Sequence, residues 1–475
     1  MKTNSIYTND IYTKLQFPRK QVRDSIEGSN AVKRGNEIYL PMTAAMRSVD
    51  QDTEVGVITK NSDSQVDVRN TPWWHPNPAY RAYLQRARFP DITGAILRGL
   101  IGTCEKGETE VDVPGRIKYL IDNASTDGMT LDEIAGQAIS ETLQTSKFCL
   151  ILEPQTDNTL KIVKKEAEAN TDFDFSFSDG VESLQSATFF EADSDEGAHT
   201  IEYKIVDGKA VYQRFIDDVE DGVETEITLQ GKTIPFLPIV FIGSVENTPR
   251  SKIIPLLGVS DIAISIYQKD ADLTQAEFMT CNPTLFMFGV QQDEKPKWIG
   301  SAVCVTTTNP DARAEYPATD TSALDHMMNR IDSLKQEAVD LAGQILTGKR
   351  GAEAAEALSI RQASSGANLL KIVNNTSKGI RDILNMAAKW TGEEGGCVFK
   401  LSTDFANKDL SPAGMRAYVE SWLDGAISHD TVLNKFRDAD ILGGNVTNEQ
   451  EKLKILMDEE LKIGFEPKKT DETEK

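Results

Sequence analysis

The sequence is short of basic charge. Its 475 residues carry 51 lysines and arginines against 74 aspartates and glutamates, a formal net charge of −23. A protein that grips DNA by neutralising phosphates carries a basic excess, because released counterions drive that binding. The balance here excludes a tight sequence reader. It leaves room for a conduit past which DNA slides, and the plainer reading is that acidity keeps a large chain soluble. Cysteine is scarce too: the five, Cys104, Cys149, Cys281, Cys304 and Cys397, are scattered and never stand in C-x-x-C spacing. That pattern fits free thiols in a reducing cytosol and argues against a zinc or redox centre. Long hydrophobic runs are missing. The most apolar stretch, IPFLPIVFIG (234–243), holds two prolines and falls far below the roughly 20 residues of a membrane span. The opening MKTNSIYTND lacks the apolar region of a secretory signal. The expectation is a chain with no membrane segment, no cofactor and no metal.

A complete phosphate-binding loop is also missing, though narrowly. GQILTGKR (343–350) puts Gly343, Gly348 and Lys349 in the spacing G-x-x-x-x-G-K. Such a loop needs a strand before it, a helix after it, and Ser or Thr following the lysine to hold magnesium. Position 350 is Arg350, which cannot ligate a cation, and the residues ahead of the motif read as a helix. The four histidines, His75, His199, His326 and His429, lie in a proline turn, an acidic loop and two helices, with no Ser or Cys in an elbow or triad context. No catalytic residue is assigned, and the chain reads as a non-enzyme.

What is present is an ordered succession of elements. With 39% hydrophobic and 26% charged residues, the chain suits two to four structural regions with a substantial core. Residues up to about 39 are polar without a sustained period and read as a loose arm. TPWWHPNPAYRAYLQRARF (71–89) turns on prolines into a helix carrying Tyr80, Tyr83, Leu84 and Ala87. Trp73 and Trp74 at that entry read as a hydrophobic anchor rather than a ligand cage. A further helix is expected in PDITGAILRGLIG, and another after Thr130, which stands in capping-box spacing with Glu133 and leads into a buried strand over 148–152. Strand signals dominate from about 161 to 243. Ile201, Tyr203 and Ile205 alternate with polar residues, Asp207-Gly208 supplies a type I′ turn, and Val211 and Tyr212 return. A second, acidic hairpin follows. Its Asp217 and Asp218 read as a solvated face rather than a metal site.

The second half changes period. Residues 256–280 read as a helix with Ile262, Ile266, Leu273 and Ala276 on one side, stopped at Asn282-Pro283. A short extended insertion follows in PTLFMFGV, WIGSAVCVTTTNP and RAEYPATD. Then Met327, Ile331, Leu334, Ala338, Leu341 and Ile345 step by four and three in a helix of coiled-coil character. A second long helix repeats that stepping at Leu369, Val373, Thr376, Ile380, Ile383 and Ala387. CVFKLSTDF is a strand. Two short helices break at Gly425, the first opened by Ser411 and Pro412 and the second capped by Ser428. VTNEQEKLKILMDEELKIG is a last helix, and EPKKTDETEK a charged, disordered tail.

This order, filled by IPFLPIVFIGS, IIPLLGVSDIAISIYQKDADLTQAEFMTCNPTLFMFGV, LSIRQASSGANLLKIVNNTSKGIRDILNMAAKW and LSTDFANKDLSPAGMRAYVESWLDGAISHDTVLNKFRDADIL, resembles the portal proteins of tailed bacteriophages. It is most similar to the branch named only as a domain of unknown function. The resemblance implies an α+β fold with 1–65 as an arm and wing start, 66–255 as a wing of helices and β-hairpins, and 256–281 and 320–346 as two stem helices. It makes 282–319 a clip, 347–352 a tunnel loop, 353–392 a long wing helix, 393–463 a crown and 464–475 a disordered tail. By the same resemblance Gly348, Lys349, Arg350 and Gly351 face a DNA channel, the glycines bending the loop and the cations touching phosphates in passing. The plainer reading is a solvated turn whose cations favour the preceding helix C-terminus. Met327, Ile331, Leu334, Leu341 and Ile345 become a seam between neighbouring subunits, and Lys295, Lys297, Trp298 and Arg313 face a motor or adaptor.

The implied function is a homo-oligomeric ring, a dodecamer, at one vertex of a phage head, assembled in the host bacterial cytoplasm. Its implied partners are double-stranded viral DNA, the terminase large subunit, the head-tail adaptor, and the major capsid and scaffolding proteins. Two other readings stay open. One is a nucleotide hydrolase acting through 343–349, or a hydrolase with a triad drawn from distant segments; the other is a coiled-coil scaffold or adaptor without a channel. Long seams suit the scaffold equally well, but the hairpin-rich first half and the β insertion do not.

Overall fold

In the computed structural model the described residues are 10–48, 71–104, 107–178, 181–194, 197–281, 286–290, 309–315, 322–347, 369–393, 395–403, 419–422, 428–438 and 447–454. They form an α+β fold. The segment expected as a loose arm is helical from residue 10: α1 (Asp10–Glu27) and α2 (Ser29–Arg34), with a tight turn over Asn36–Ile38. Its inner face carries Arg19, Gln21, Val22, Asp24 and Ser25, all buried. Four of these are polar, so the face has no apolar period to read, and its burial rests on partners elsewhere in the fold.

α3 (Ala44–Arg47), α4 (Pro78–Arg86) and α5 (Ile92–Cys104) follow. Asn77 caps α4 by accepting from the Tyr80 amide at 3.0 Å, and its own amide donates to Met46 O at 2.8 Å. Trp73 packs on the cluster of Tyr39, Tyr80, Tyr83 and Phe89, as an anchor should. After β1 (Glu110–Asp112) comes α6 (Leu131–Thr145), opened by the Thr130–Glu133 capping box and closed by Ser146 at φ 84°. That left-handed residue turns the chain directly into β2 (Lys147–Pro154).

β2 is the middle strand of a three-stranded antiparallel sheet, between β3 (Leu160–Glu166) and β11 (Ile239–Gly243). Covered on both faces, it reads as an unbroken apolar run, and Phe148 to Leu152 are each at most 1% exposed. A five-stranded meander runs beside it: β4 (Asn170–Ser178), β5 (Val181–Ser194), β6 (Gly197–Val206), β7 (Lys209–Ile216) and β8 (Val219–Glu226). The β6–β7 turn is Asp207-Gly208 with both φ positive (50° and 74°), and β7–β8 repeats the device with Asp217-Asp218 (48° and 66°). Short side chains that tolerate this region make two-residue hairpins feasible. β4 and β8 are the outer strands, and every residue of β8 is exposed. β9 (Thr228–Leu229) and β10 (Lys232–Thr233) form a small hairpin before β11.

The second half holds α7 (Leu257–Cys281), β12 (Phe286–Phe288), β13 (Arg313–Glu315), α8 (Ser322–Thr347), α9 (Leu369–Thr391), β14 (Val398–Lys400) and α10 (His429–Asp438). The stripe read from sequence in α9 is the one the fold buries: Leu369, Val373, Thr376, Ile380, Ile383 and Ala387 are all solvent-free. α9 lies against β11, α6 and β14, closing the largest core. Its approach to β11 is close enough to demand glycine, since a Cβ on Gly379 would come within 2.5 Å of Ile242. Asn375 and Asn247 lock the same contact, donating to Gly243 O at 2.7 Å and to Asn375 O at 2.8 Å. Ser428 caps α10 as expected, accepting from the Thr431 amide at 3.2 Å. Among the described residues no helix is long and apolar enough to cross a membrane.

Candidate functional site: a helix pair with a strand pair between

α7 and α8 pack antiparallel and leave the chain between them as an excursion containing β12 and β13. α7 is apolar in more than one direction, which is why its sequence shows a weak stripe. Ile262, Ile266 and Leu273 face α8, while Ala263, Tyr267 and Ala271 face the aromatics around Tyr80, Tyr83 and Phe89. The Tyr267 and Phe89 rings meet edge to face at 5.8 Å. Burial pushes the Tyr267 phenol above its ordinary value, and its hydroxyl has no hydrogen-bond partner among the described residues.

α8 has one apolar stripe. Ile331, Leu334, Ala338 and Ile345 are buried, and Met327 and Leu341 are partly buried beside them. These residues were expected between subunits. Their packing is within the chain: Ile331, Leu334 and Ala338 close on Ile262, Ile266 and Leu273, and Ile345 joins Leu256, Val259 and Leu369. The stepping on α7 matches that on α8, so each stripe satisfies the other and the seam is not left wet in a single copy. The helices come close at Gly258, where a Cβ would sit 2.9 Å from Leu341.

The remote half of the pair is propped from the side. Tyr83 donates to Asp272 Oδ1 at 2.6 Å, Arg86 donates to Gln275 Oε1, and the Arg86 guanidinium lies 4.2 Å from the Phe278 ring centre. Burial and the hydrogen bond and charge of the neighbouring Asp272 hold the Tyr83 phenol well above its usual range. Beyond that prop the surface becomes apolar: Phe278, Met279, Phe288 and Met328 are all exposed. The outward face of α8 is acid-rich, with Asp325, Asp332, Glu337 and Asp340 exposed; Lys335 pairs with Asp332 at 2.9 Å, and Gln336 donates to Asp340 at 3.1 Å.

β12 and β13 pair antiparallel, with Phe288 opposite Arg313. Gly289 follows at φ 71°, and Asn309 donates to its carbonyl at 2.8 Å, pinning the two ends of the excursion together. Arg313 is exposed on β13. Of the other residues singled out from sequence, Lys295, Lys297, Trp298, Gly348, Lys349, Arg350 and Gly351 lie outside the described residues. The phosphate-loop spacing begins inside α8, which runs to Thr347, so a helix stands where that motif requires a strand.

Two further groupings could hold a ligand. An open cleft of about 490 Å³ lies between α5, α6 and Leu401, lined by Cys104, Met129, Glu133 and Gln137. The Glu133 carboxylate is committed to capping α6. The carboxylates of Glu141, Glu166 and Glu168 converge with oxygens within 4.8 Å of one another, a donor set that suits a hard cation. The cation there is the chain's own Arg23, whose guanidinium reaches Glu141 at 2.7 Å and Glu168 at 2.6 Å. Sequence reasoning missed this cluster because its members come from three separated segments. The only local trace is the run of basic residues Arg19, Lys20 and Arg23.

Comparison with known proteins places a family match on this part of the chain. Residues 255–391, from the start of α7 to the end of α9, match the family described as "Domain of unknown function (DUF4055)". None of the curated proteins compared with the chain matches it. Among solved structures, a chain of the virion of a native gene transfer agent (GTA) particle is 11% identical, with a TM-score of 0.37 over 74% of this chain and 91% of that one. A chain from the neck of the empty GTA particle computed with C6 symmetry gives the same values. One from the neck of the native particle computed with C12 symmetry gives a TM-score of 0.32 at 11% identity, over 72% and 88% of the two chains. At these values the likeness assigns neither fold nor role to this chain.

Proposed function

We propose that the chain is the subunit of a portal ring: a homo-oligomer at one vertex of a tailed-phage head, with a central channel through which double-stranded DNA enters and leaves. The observation that carries the reading is the antiparallel pair α7–α8 with the antiparallel strand pair β12–β13 in the excursion between them, followed by the buried helix α9. That is the succession the sequence resemblance implies for stem, clip and wing. In this reading the excursion meets the packaging motor and later the tail adaptor through exposed side chains such as Arg313 and Phe288. The acidic outer face of α8 and the net charge of −23 repel the phosphate backbone, which favours sliding over capture. The chain supplies no chemistry; a partner ATPase drives packaging. Support for a non-enzymatic role is that Arg350 stands where a magnesium-holding hydroxyl is required, behind a helix.

Electron microscopy of the purified chain, with its mass in solution, tests the proposal. The expected result is a hollow ring near 630 kDa, about twelve copies of the 52.4 kDa chain. A closed small oligomer without a channel overturns it in favour of a scaffold or adaptor.

A further inference from the structure

α1 is fixed to the body of the molecule mainly by directional polar contacts, and these bridge the helix pair and the sheets. Toward α7, Gln21 donates to Asp261 Oδ1 at 2.6 Å, and Ser25 and Ser260 share a hydrogen at 2.7 Å. Asp24 accepts from the Tyr39 hydroxyl at 2.6 Å. On the other side, Arg23 reaches Glu141 in α6, Glu166 at the end of β3, and Glu168 in the turn before β4. Arg19 donates to Thr145 O at 3.0 Å and Ala167 O at 3.1 Å. The apolar share is small: Val22 is fully buried, with Leu15 and Ile26 partly so.

Two features weigh against the docked state. Three carboxylates converge on one point and repel one another wherever Arg23 is not between them. Arg19, meanwhile, is 1% exposed with its Nη2 buried and unpaired among the described residues, so its guanidinium gains hydration on leaving. A segment with few apolar contacts and an unpaired buried polar group belongs to the low-stability end of a fold.

We propose that α1 is a latched strap. It docks and releases as a unit, Arg23 in the Glu141–Glu166–Glu168 socket is the latch, and release removes the polar bridge that α1 makes between α7 and α6 while their shared cluster of Ile139, Leu143 and Val259 stays in place. The inference stands on these contacts and does not depend on the ring proposed above.

Hydrogen–deuterium exchange on the full-length chain tests it. In Arg23→Met the amides of residues 19–27 should exchange roughly tenfold or more faster, with α6 and β2 unchanged, because opening of the strap is local. Adding Glu141→Gln and Glu168→Gln to Arg23→Met should restore protection, since the emptied socket then lacks its repulsion. Unchanged exchange in α1, or a joint rise across α1, α6 and β2, overturns the proposal. If Arg23→Met does not fold, the native chain decides the matter in a salt series. From about 0.01 M to about 1 M salt the screening length falls from about 30 Å to about 3 Å, and exchange in α1 alone should rise. Equal rates at both ends overturn the proposal.

Discussion

Tyr83 and Asp272 are joined by a 2.6 Å hydrogen bond that ties α4 to the remote half of α7. It is the polar partner of the Arg86–Phe278 contact, and together they hold a helix whose last turns have left the core. Tyr83→Phe keeps the ring in its cluster and removes only the donor. A loss of about 1.5 kcal/mol is expected, the lower end for a hydrogen bond to a charged group, because Asp272 is exposed. Urea unfolding of the two proteins side by side checks it.

The seam between α7 and α8 is internal to one chain, and that has a measurable signature. Leu334→Ala empties a site closed by Ile262, Ile266 and Leu273 and should cost about 2–5 kcal/mol. The loss should be the same in dilute and concentrated protein. A loss that varies with concentration would reassign the seam to contact between copies.

Gly379→Ala adds a favourable helix former in α9, yet its methyl would meet Ile242 at 2.5 Å in a fully buried place. Overpacking should outweigh helix propensity, giving a net loss of about 1–3 kcal/mol. A lowered melting temperature with unchanged secondary structure is the expected outcome.

Stability should rise and then fall with pH on the alkaline side. Lys147 is 3% exposed, donates to Asn170 Oδ1 at 2.6 Å and Pro249 O at 3.2 Å, and lies over the rings of Phe173 and Phe241. Burial, reinforced by nearby Arg19, pushes its ammonium down to about 7. The unfolded chain therefore binds the extra proton between that value and about 10, so stability increases with pH across the window, by up to about 1.4 kcal/mol per unit. Burial raises the phenols of Tyr39, Tyr80, Tyr83, Tyr203 and Tyr267. Their contribution is complete below about 10 and is lost as pH climbs beyond it. Denaturant midpoints from pH 6 to 11 test both limbs, and Lys147→Met should flatten the first while leaving the second.

Elements that bury an apolar stripe could be read directly. α9 is the clearest case, with Leu369 to Ala387 on one buried face, and the Asp207-Gly208 turn and Thr130 cap were equally plain because their chemistry is local. α1 was not legible, since Arg19, Gln21 and Ser25 are buried against partners more than a hundred residues away, and no local period records such pairing. The α8 stripe was legible as a stripe but not as to its occupant. Ile331 and Leu334 show the same pattern whether a neighbouring copy or α7 fills it.

The five-stranded sheet ends in two edges, and both carry carboxylates: Asp172 and Asp174 on β4, and Glu220, Asp221, Glu224 and Glu226 on β8. Crowded copies would meet like charge on like charge wherever the free edges approached. Strand-to-strand fusion between molecules is thereby disfavoured, and the sheet stops at five strands even where many copies stand side by side.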